Sequence, residues 1–184
     1  MNESFFISDL HLNHRKLVEP NAITGERYRP FETIEEMNET IINNINSVVT
    51  DKDKLYILGD VVFQKASSEH LLARIKGNKR LVLGNHDEMG QNSYYLKYFH
   101  EITVWKHFDH LGFVCSHIPM HPSQFRGEAI LNLHGHVHKD SLNDLRYMNV
   151  CVEKTGYAPV HLDTIIDTVA HLRHAKEWAK GLDV

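Results

Sequence analysis

An α/β fold, of the α+β kind in which a parallel first half gives way to a mixed second half, follows from three observations. Short apolar runs ending on polar, ligand-type residues occur at residues 5–8, 54–58 and 80–83. Segments of helical periodicity separate these runs, which is the β-α-β rhythm of a parallel sheet whose sites form beyond the carboxyl ends of its strands. Past residue 100 the strand-like runs follow one another directly, and one amphipathic segment closes the chain.

Residues 5–8 read as a buried strand because they are apolar and stop at a polar pair instead of continuing with helical period, leaving Asp9 and His11 at the strand mouth. Residues 33–49 carry Ile34, Met37, Ile41, Ile42, Ile45 and Val48 at helical spacing, with Thr33 and Glu36 arranged as a capping box. Residues 54–58 form the next strand and deliver Gly59 and Asp60. Residues 68–76 read as a helix with Leu71, Leu72 and Ile75 inward, and residues 80–83 repeat the strand-to-ligand step before Gly84-Asn85-His86-Asp87. Beyond these, 102–108 and 113–116, joined through Asp109-His110-Leu111-Gly112, predict a hairpin ending on His117. Residues 129–133 and 148–152 are further strands. Residues 163–179 predict a final helix with Asp163 as N-cap and Ile165, Ile166, Val169, Leu172 and Trp178 as core positions. No repeat, low-complexity tract or linker interrupts the chain, so residues 1–184 are expected to form one domain.

A composition of 42% hydrophobic and 24% charged residues is an ordinary globular balance. The formal net charge of -4 and the lack of a basic run argue against a protein that grips long nucleic acid. Cys115 and Cys151 lie in apolar runs without a C-x-x-C pattern and read as buried thiols. The N-terminus lacks a basic region, and the apolar stretch 5–7 is too short for a signal peptide or a membrane span. A cytoplasmic protein with no membrane partner is the expectation. The pattern carries no signal for or against oligomers.

Fifteen histidines make short His motifs easy to come by, and about one H-x-H is expected by chance, so Gly135-His136-Val137-His138 says little alone. Taken singly, Asp9 and His11 read equally as a helix cap and a surface histidine. Asp60 after Gly59 reads as a turn residue, and Gly84-Asn85 as ordinary turn chemistry. Their joint order alters the reading, because each cluster follows a strand: Asp9-x-His11, Gly59-Asp60, Gly84-Asn85-His86-Asp87, a histidine after the 113–116 run, then Gly135-His136-x-His138.

This order resembles that of the calcineurin-like metallophosphoesterases, whose pattern is D-x-H, G-D, G-N-H-[DE], a lone His and G-H-x-H. The match runs from Asp9 to His138. The resemblance implies a four-layer αββα sandwich, two mixed sheets packed face to face with helices outside. It implies a phosphoesterase with two divalent metal ions and attack by a hydroxide bridging them. Asp9, His11 and His138 would hold one ion, Asn85, His117 and His136 the other, and Asp60 would bridge. Mixed oxygen and nitrogen ligands suit transition metals, manganese first, with iron, zinc, nickel or cobalt as alternatives. His117 takes the lone position because Cys115-Ser116-His117-Ile118-Pro119 resembles the family's strand-then-His-x-P segment, with His107, His110 and His121 as nearby competitors. By the same resemblance His86 points at the scissile bond, where a protonated imidazole would donate to the leaving group. Asp87 reads either as the residue orienting His86 or as a turn residue.

His14, which extends the first motif to Asp9-x-His11-x-x-His14, joins His121 and Arg126 as candidates for substrate phosphate contact, and each reads equally as merely exposed. His134 is a candidate support for the ligands beside it, while His161, His171 and His174 read as surface or boundary residues. The chain leaves no room for a large cap domain. Substrate choice therefore falls to the irregular segments 13–30 and 120–128, where Tyr28, Phe31 and Phe125 could stack on a base or pack on their own loops. A small nucleotide or cyclic-nucleotide phosphodiester is the expected substrate, with monoesterase or nuclease activity as alternatives. A non-catalytic scaffold or metal-binding regulator is the contrasting class, and a degenerate scaffold would lack ligands that this chain retains.

Overall fold

A computed structural model describes residues 2–87 and 92–180. Three parallel pairings build the first sheet from β1 (Ser4–Ile7), β2 (Lys54–Ile57), β3 (Asn78–Val82) and β4 (Glu101–Thr103). The second sheet contains β5 (Trp105–Phe108), β6 (Phe113–Ser116), β7 (Leu131–His134) and β8 (Tyr147–Asn149), in that order, with only the β5–β6 pair antiparallel. A short β9 (Val160–His161) adds antiparallel to β1, so both sheets are mixed.

The central strands are apolar on both faces because both faces are covered. Phe5, Ile7, Leu55 and Ile57 pack with Ile34, Met37, Ile41 and Ile45 of α1 (Ile34–Val48) and with Leu71 and Leu72 of α2 (Lys65–Arg74). On the opposite face Phe6, Tyr56, Leu58 and Val82 meet Phe113, Cys115, Leu131 and Leu133 of the second sheet. A short α3 (Asn92–Tyr95) follows β3, and α4 (Leu162–Lys180) adds Ile165 and Val169 to the inter-sheet core. The fold is two mixed sheets flanked by helices. Among the described residues no helix is long and apolar enough to cross a membrane.

At the start of α1, Thr33 Oγ1 accepts the Glu36 N–H at 3.0 Å, as the capping box predicts. The Glu36 carboxylate reaches one residue further back, accepting from the Glu32 N–H at 2.8 Å. The segment 102–108 is not one strand. It divides at Val104 into β4 on the first sheet and β5 on the second, so the chain crosses between sheets where a continuous hairpin arm was expected. The strand expected at 148–152 ends at Asn149, after which Cys151 bridges to Ser8 and ties β1's extension to the second sheet. Helix α2 starts earlier than expected and ends at Arg74, with Ile75 as its C-cap.

Helix α4 begins at Leu162, which places Asp163 inside its first turn; the imidazole Nδ1 of His161 accepts the Asp163 N–H at 3.2 Å instead. Trp178, expected in the core, is 72% exposed, because the last turns of α4 run past the core that Ile165, Val169 and Leu172 cover. Ile166 is exposed on the flank of the same helix.

Candidate metal centre

The loops that leave β1, β2, β3 and β7, and the residue after β6, converge at one end of the two sheets. Backbone bonds hold the first two loops side by side: Asp9 N–H donates to the Gly59 carbonyl at 3.1 Å, His11 N–H to Asp60 at 2.9 Å and Leu12 N–H to Val61 at 3.0 Å. Gly135 N–H donates to the His117 carbonyl at 2.8 Å, joining the sites after β6 and β7. Asp9, His11, Asp60, His136 and His138 all have φ between 48° and 71°. Such left-handed residues cost on the order of 1–3 kcal/mol each and persist only where the surroundings over-determine them. The reward is a sharp turn that throws each side chain forward, off the end of its strand.

The motif glycines exist because ligands pass too close for a side chain. A Cβ on Gly59 would lie 2.6 Å from His117 Nδ1 and 2.7 Å from the Gly84 backbone. On Gly84 it would overlap Asp60 Oδ1, and on Gly135 it would overlap Ser8 Oγ and Asp9 Oδ2.

Donor atoms face one another across the gap this creates. His11 Nε2 lies 3.7 Å from Asp9 Oδ1 and 3.5 Å from Asp60 Oδ2, and His138 Nε2 lies 3.8 Å from Asp9 Oδ1. His117 Nε2 lies 3.5 Å from the same Asp60 Oδ2 and 2.9 Å from Asn85 Oδ1, which is also 2.9 Å from His136 Nδ1. Ligands bound to one ion at about 2.0–2.2 Å stand roughly 2.8–3.6 Å apart at octahedral or tetrahedral angles. The longer spacings around Asp9 and Asp60 match that within a few tenths of an ångström, and they exceed a hydrogen bond. Asp9 Oδ1 and both ring nitrogens of His11 are buried without a hydrogen-bond partner among the described residues, which is the condition a metal would relieve. Asp9, His11 and His138 form one compact ligand group, and Asp9, Asp60 and His117 another, each with its ligand atoms within 4.8 Å of one another.

Tautomers support the same reading. His117 Nδ1 must donate to the Leu58 carbonyl at 2.8 Å, so in the neutral ring Nε2 presents a lone pair to the acceptors Asn85 and Asp60. His138 Nδ1 faces Glu153 Oε1 at 3.0 Å, which leaves its Nε2 bare toward Asp9. These rings attract positive charge. Burial pushes the His117 imidazole down, but Asp60, Asp9 and the Leu58 carbonyl together raise it above its ordinary value. Burial likewise opposes His138, and Glu153 overrides it. Burial raises the Asp9 and Asp60 carboxyls, while the donors and imidazoles around them outweigh it and hold both below the usual carboxylate range.

Three supports were not legible as site residues in the sequence. Arg29, fully buried, donates through its Nη atoms to the Asp9 carbonyl at 2.7 Å and the Leu10 carbonyl at 2.8 Å. It also pairs with Glu153 Oε1 at 2.7 Å, so one guanidinium holds the first ligand loop and the carboxylate that orients His138. Glu153 ends the apolar run 150–152, and that strand-then-acid pattern was the available signal. Cys151 is indeed buried, and its thiol donates to Asp9 Oδ2 at 3.2 Å, so it touches a ligand as well as the core.

Asp87 does not orient His86. Its carboxylate accepts from the backbone N–H groups of Asp60, Val61 and Gly84 at 2.8 to 3.0 Å and from the Tyr95 hydroxyl at 3.0 Å, with no hydrogen bond to the His86 ring. It locks the second and third ligand loops together. Burial, then Asp87 itself, pushes the Tyr95 phenol up, so it remains a donor.

His86 is 47% exposed, with Nε2 4.0 Å from Asp60 Oδ2, and its ring stands edge-on to His11 at 5.5 Å. His14 lies beside His11 and stacks on Phe63 at 3.8 Å; burial, then the neighbouring cations, lowers its imidazole to about 4. His121 is turned into its own 3-10 turn, where Nδ1 meets Ser123 Oγ at 2.9 Å, and the Arg126 side chain is exposed. His134 is buried next to Gly135, with Nδ1 2.9 Å from the Gly135 carbonyl. Tyr28 stands edge-on to His138 at 5.6 Å and lines a cleft of mixed charge with Lys16, Glu19, Glu26, Arg27 and Lys139.

Gly135→Ala should fold but lose metal, because the new methyl displaces Ser8 and Asp9; metal content per chain by elemental analysis checks this, and full occupancy would contradict it. Glu153→Ala leaves Arg29 as a buried unpaired cation and frees the His138 ring. We expect about 3–5 kcal/mol less stability in urea unfolding and metal affinity about 10–100-fold weaker. An unchanged midpoint with unchanged affinity would remove Glu153 from the site's support.

The chain matches the family model described as calcineurin-like phosphoesterase over residues 5–175. It is 32% identical over 183 residues to an uncharacterised protein of Methanocaldococcus jannaschii, covering 92% of each chain. It is 28% identical over 212 residues to the gene 66 protein of Mycobacterium phage L5, covering 96% of this chain and 98% of the relative. A solved structure of a protein of unknown function from Aquifex aeolicus superposes with a TM-score of 0.69 at 26% identity, covering 90% of this chain and 98% of the other. Motif order, two-sheet architecture and these matches agree, and the chain belongs to the calcineurin-like phosphoesterase family.

Proposed function

We propose that this protein is a dinuclear, divalent transition-metal-dependent phosphodiesterase that hydrolyses small nucleotide phosphodiesters. The observation that carries the reading is that Asp60 Oδ2 lies 3.5 Å from both His11 Nε2 and His117 Nε2 and so stands between two ligand groups. Asp9, His11 and His138 would hold one ion, Asn85, His117 and His136 the second, and Asp60 both. When bound, such a pair supplies an acidified water for attack and positive charge against the phosphoryl oxygens.

The chain's own groups supply the rest. His86, exposed at the edge of the ligand cluster, is free to present a proton to the leaving oxygen. His14, held neutral by burial, offers hydrogen bonding to a phosphoryl oxygen without adding charge. Asp87, Arg29 and Glu153 hold the loops so that no ligand must reorganise as charge develops. A second phosphate substituent would have room near the cluster, since one cleft is lined by Asn85 and His117 and another by Tyr28, whose ring lies 5.6 Å from that of His138, and this supports a diester over a monoester.

Metal-stripped protein resupplied separately with Mn, Ni, Co, Zn and Mg should recover hydrolysis of bis(p-nitrophenyl) phosphate, fastest with a transition metal and faster than p-nitrophenyl phosphate. Inactivity with every metal despite metal bound would overturn the enzyme reading, and a preference for the monoester would overturn the diester assignment. His86→Ala should retain metal yet slow diesters with poor leaving groups by about 10²–10⁴-fold, and those with good leaving groups far less. An equal loss for both would make His86 a phosphoryl-binding group instead of a proton donor.

A further inference from the structure

The crossing at Val104 leaves an unusual surface beside the candidate metal centre. Val104 and Trp105 stand where the chain steps from the first sheet to the second, and they are 52% and 54% exposed. Ile118, just past the ligand His117, faces the same groove and is 53% exposed; Met120 completes that wall, and Asn85 and His117 form its floor. The groove measures about 340 Å³, within the size range of small-molecule sites, roughly 300–1,000 Å³. Single exposed apolar side chains need no explanation, but a contiguous set whose floor is two ligand residues does.

Its chemistry is specific. Among the described residues no aspartate, glutamate, lysine or arginine lines the groove. The Ser116 hydroxyl at its base is engaged with the Ile118 carbonyl at 2.7 Å. No ring among the described residues stacks on the Trp105 indole. The polar side chains of the lining are already engaged, Asn85 with His117 and Ser116 with a carbonyl, so the groove offers chiefly hydrocarbon and one aromatic face. A sugar hydroxyl or a peptide amide placed there would lose its hydrogen bonds to water without replacement. A nucleobase stacked face-on against the indole keeps its polar edge in water, and base–aromatic stacking tolerates any base because each has a π-face.

We propose that this groove is a base subsite: it stacks the nucleobase of a small nucleotide whose phosphate lies at the metal centre, and it does not discriminate among bases. The proposal rests on the phosphodiesterase reading, since only a ligand with a phosphate one residue's reach away would seat an aromatic group here.

Trp105 reports on its own groove once the exposed Trp178, the other tryptophan of the chain, is replaced by Phe. In metal-loaded Trp178→Phe protein, adenosine and cytidine 5′-monophosphate should quench Trp105 emission saturably and to similar degree, whereas ribose 5-phosphate should not. Quenching equal for all three, or for none, overturns the proposal, as does emission that shifts with protein concentration alone, which would assign the groove to self-association. In parallel, Trp105→Leu should lower the ratio of kcat/KM for thymidine 5′-(p-nitrophenyl phosphate) over methyl p-nitrophenyl phosphate by about tenfold or more, chiefly through KM, and Trp105→Tyr should restore it. A ratio unchanged in Trp105→Leu removes the groove from substrate binding. Turnover of both diesters without nucleotide-dependent quenching sinks the subsite alone, whereas quenching without turnover of either sinks the phosphodiesterase reading and leaves a nucleotide-binding groove.

Discussion

Asp9 and Asp60 are buried carboxylates whose ligand atoms, with that of His117, lie within 4.8 Å of one another. Two unit charges about 5 Å apart repel by about 3 kcal/mol at an effective dielectric near 20. Arg29 answers this only from behind: its guanidinium binds the carbonyls of Asp9 and Leu10 and pairs with Glu153, while the front of the carboxylates faces bare imidazole nitrogens. The raised imidazoles of His117 and His138 express the same imbalance, since protons partly meet a demand that a multivalent cation meets better. The supports lie behind the ligands, and the open side is left for the cation and whatever it binds.

Holding that arrangement is expensive in backbone terms. Five ligands adopt left-handed φ, and at about 1–3 kcal/mol each their summed strain is comparable with the whole stability of an ordinary domain, about 5–15 kcal/mol. Two cores offset it. One lies beneath α1 and α2 and the other between the sheets, and β1 and β2 contribute to both through their alternating faces. The strands that anchor the first two ligand loops are thus held by both cores. Asp87 then couples loop to loop, so displacing one ligand disturbs the backbone beneath its neighbours.

The ligand motifs were legible because each is local: a strand end, a glycine and one or two donors within four residues. The same locality made β1, β2, β3 and α1 readable to within a few residues. Arg29 and Glu153 escaped notice because they are 124 residues apart and meet only through the fold. Asp87 was read ambiguously since its partners, apart from Gly84, lie outside its own motif. The strand-like segment 102–108 carries no mark of the break at Val104, because strand-type residues continue on both sides of it. Trp178 misled for a related reason: helical periodicity continues in α4 after the surface it could cover has ended.

That break at Val104 links architecture to specificity. The sandwich requires one strand to leave the parallel sheet and begin the second, and the step occurs next to the ligands delivered by β3 and β6. Val104 and Trp105, at that step, are left about half exposed and line the groove that Asn85 and His117 also line. Most of the ligands have little freedom, since backbone strain, close glycine contacts or ion pairing constrain them. Val104, Trp105 and Ile118 carry none of those constraints, so their identity can follow the substrate while the metal centre beneath them stays the same.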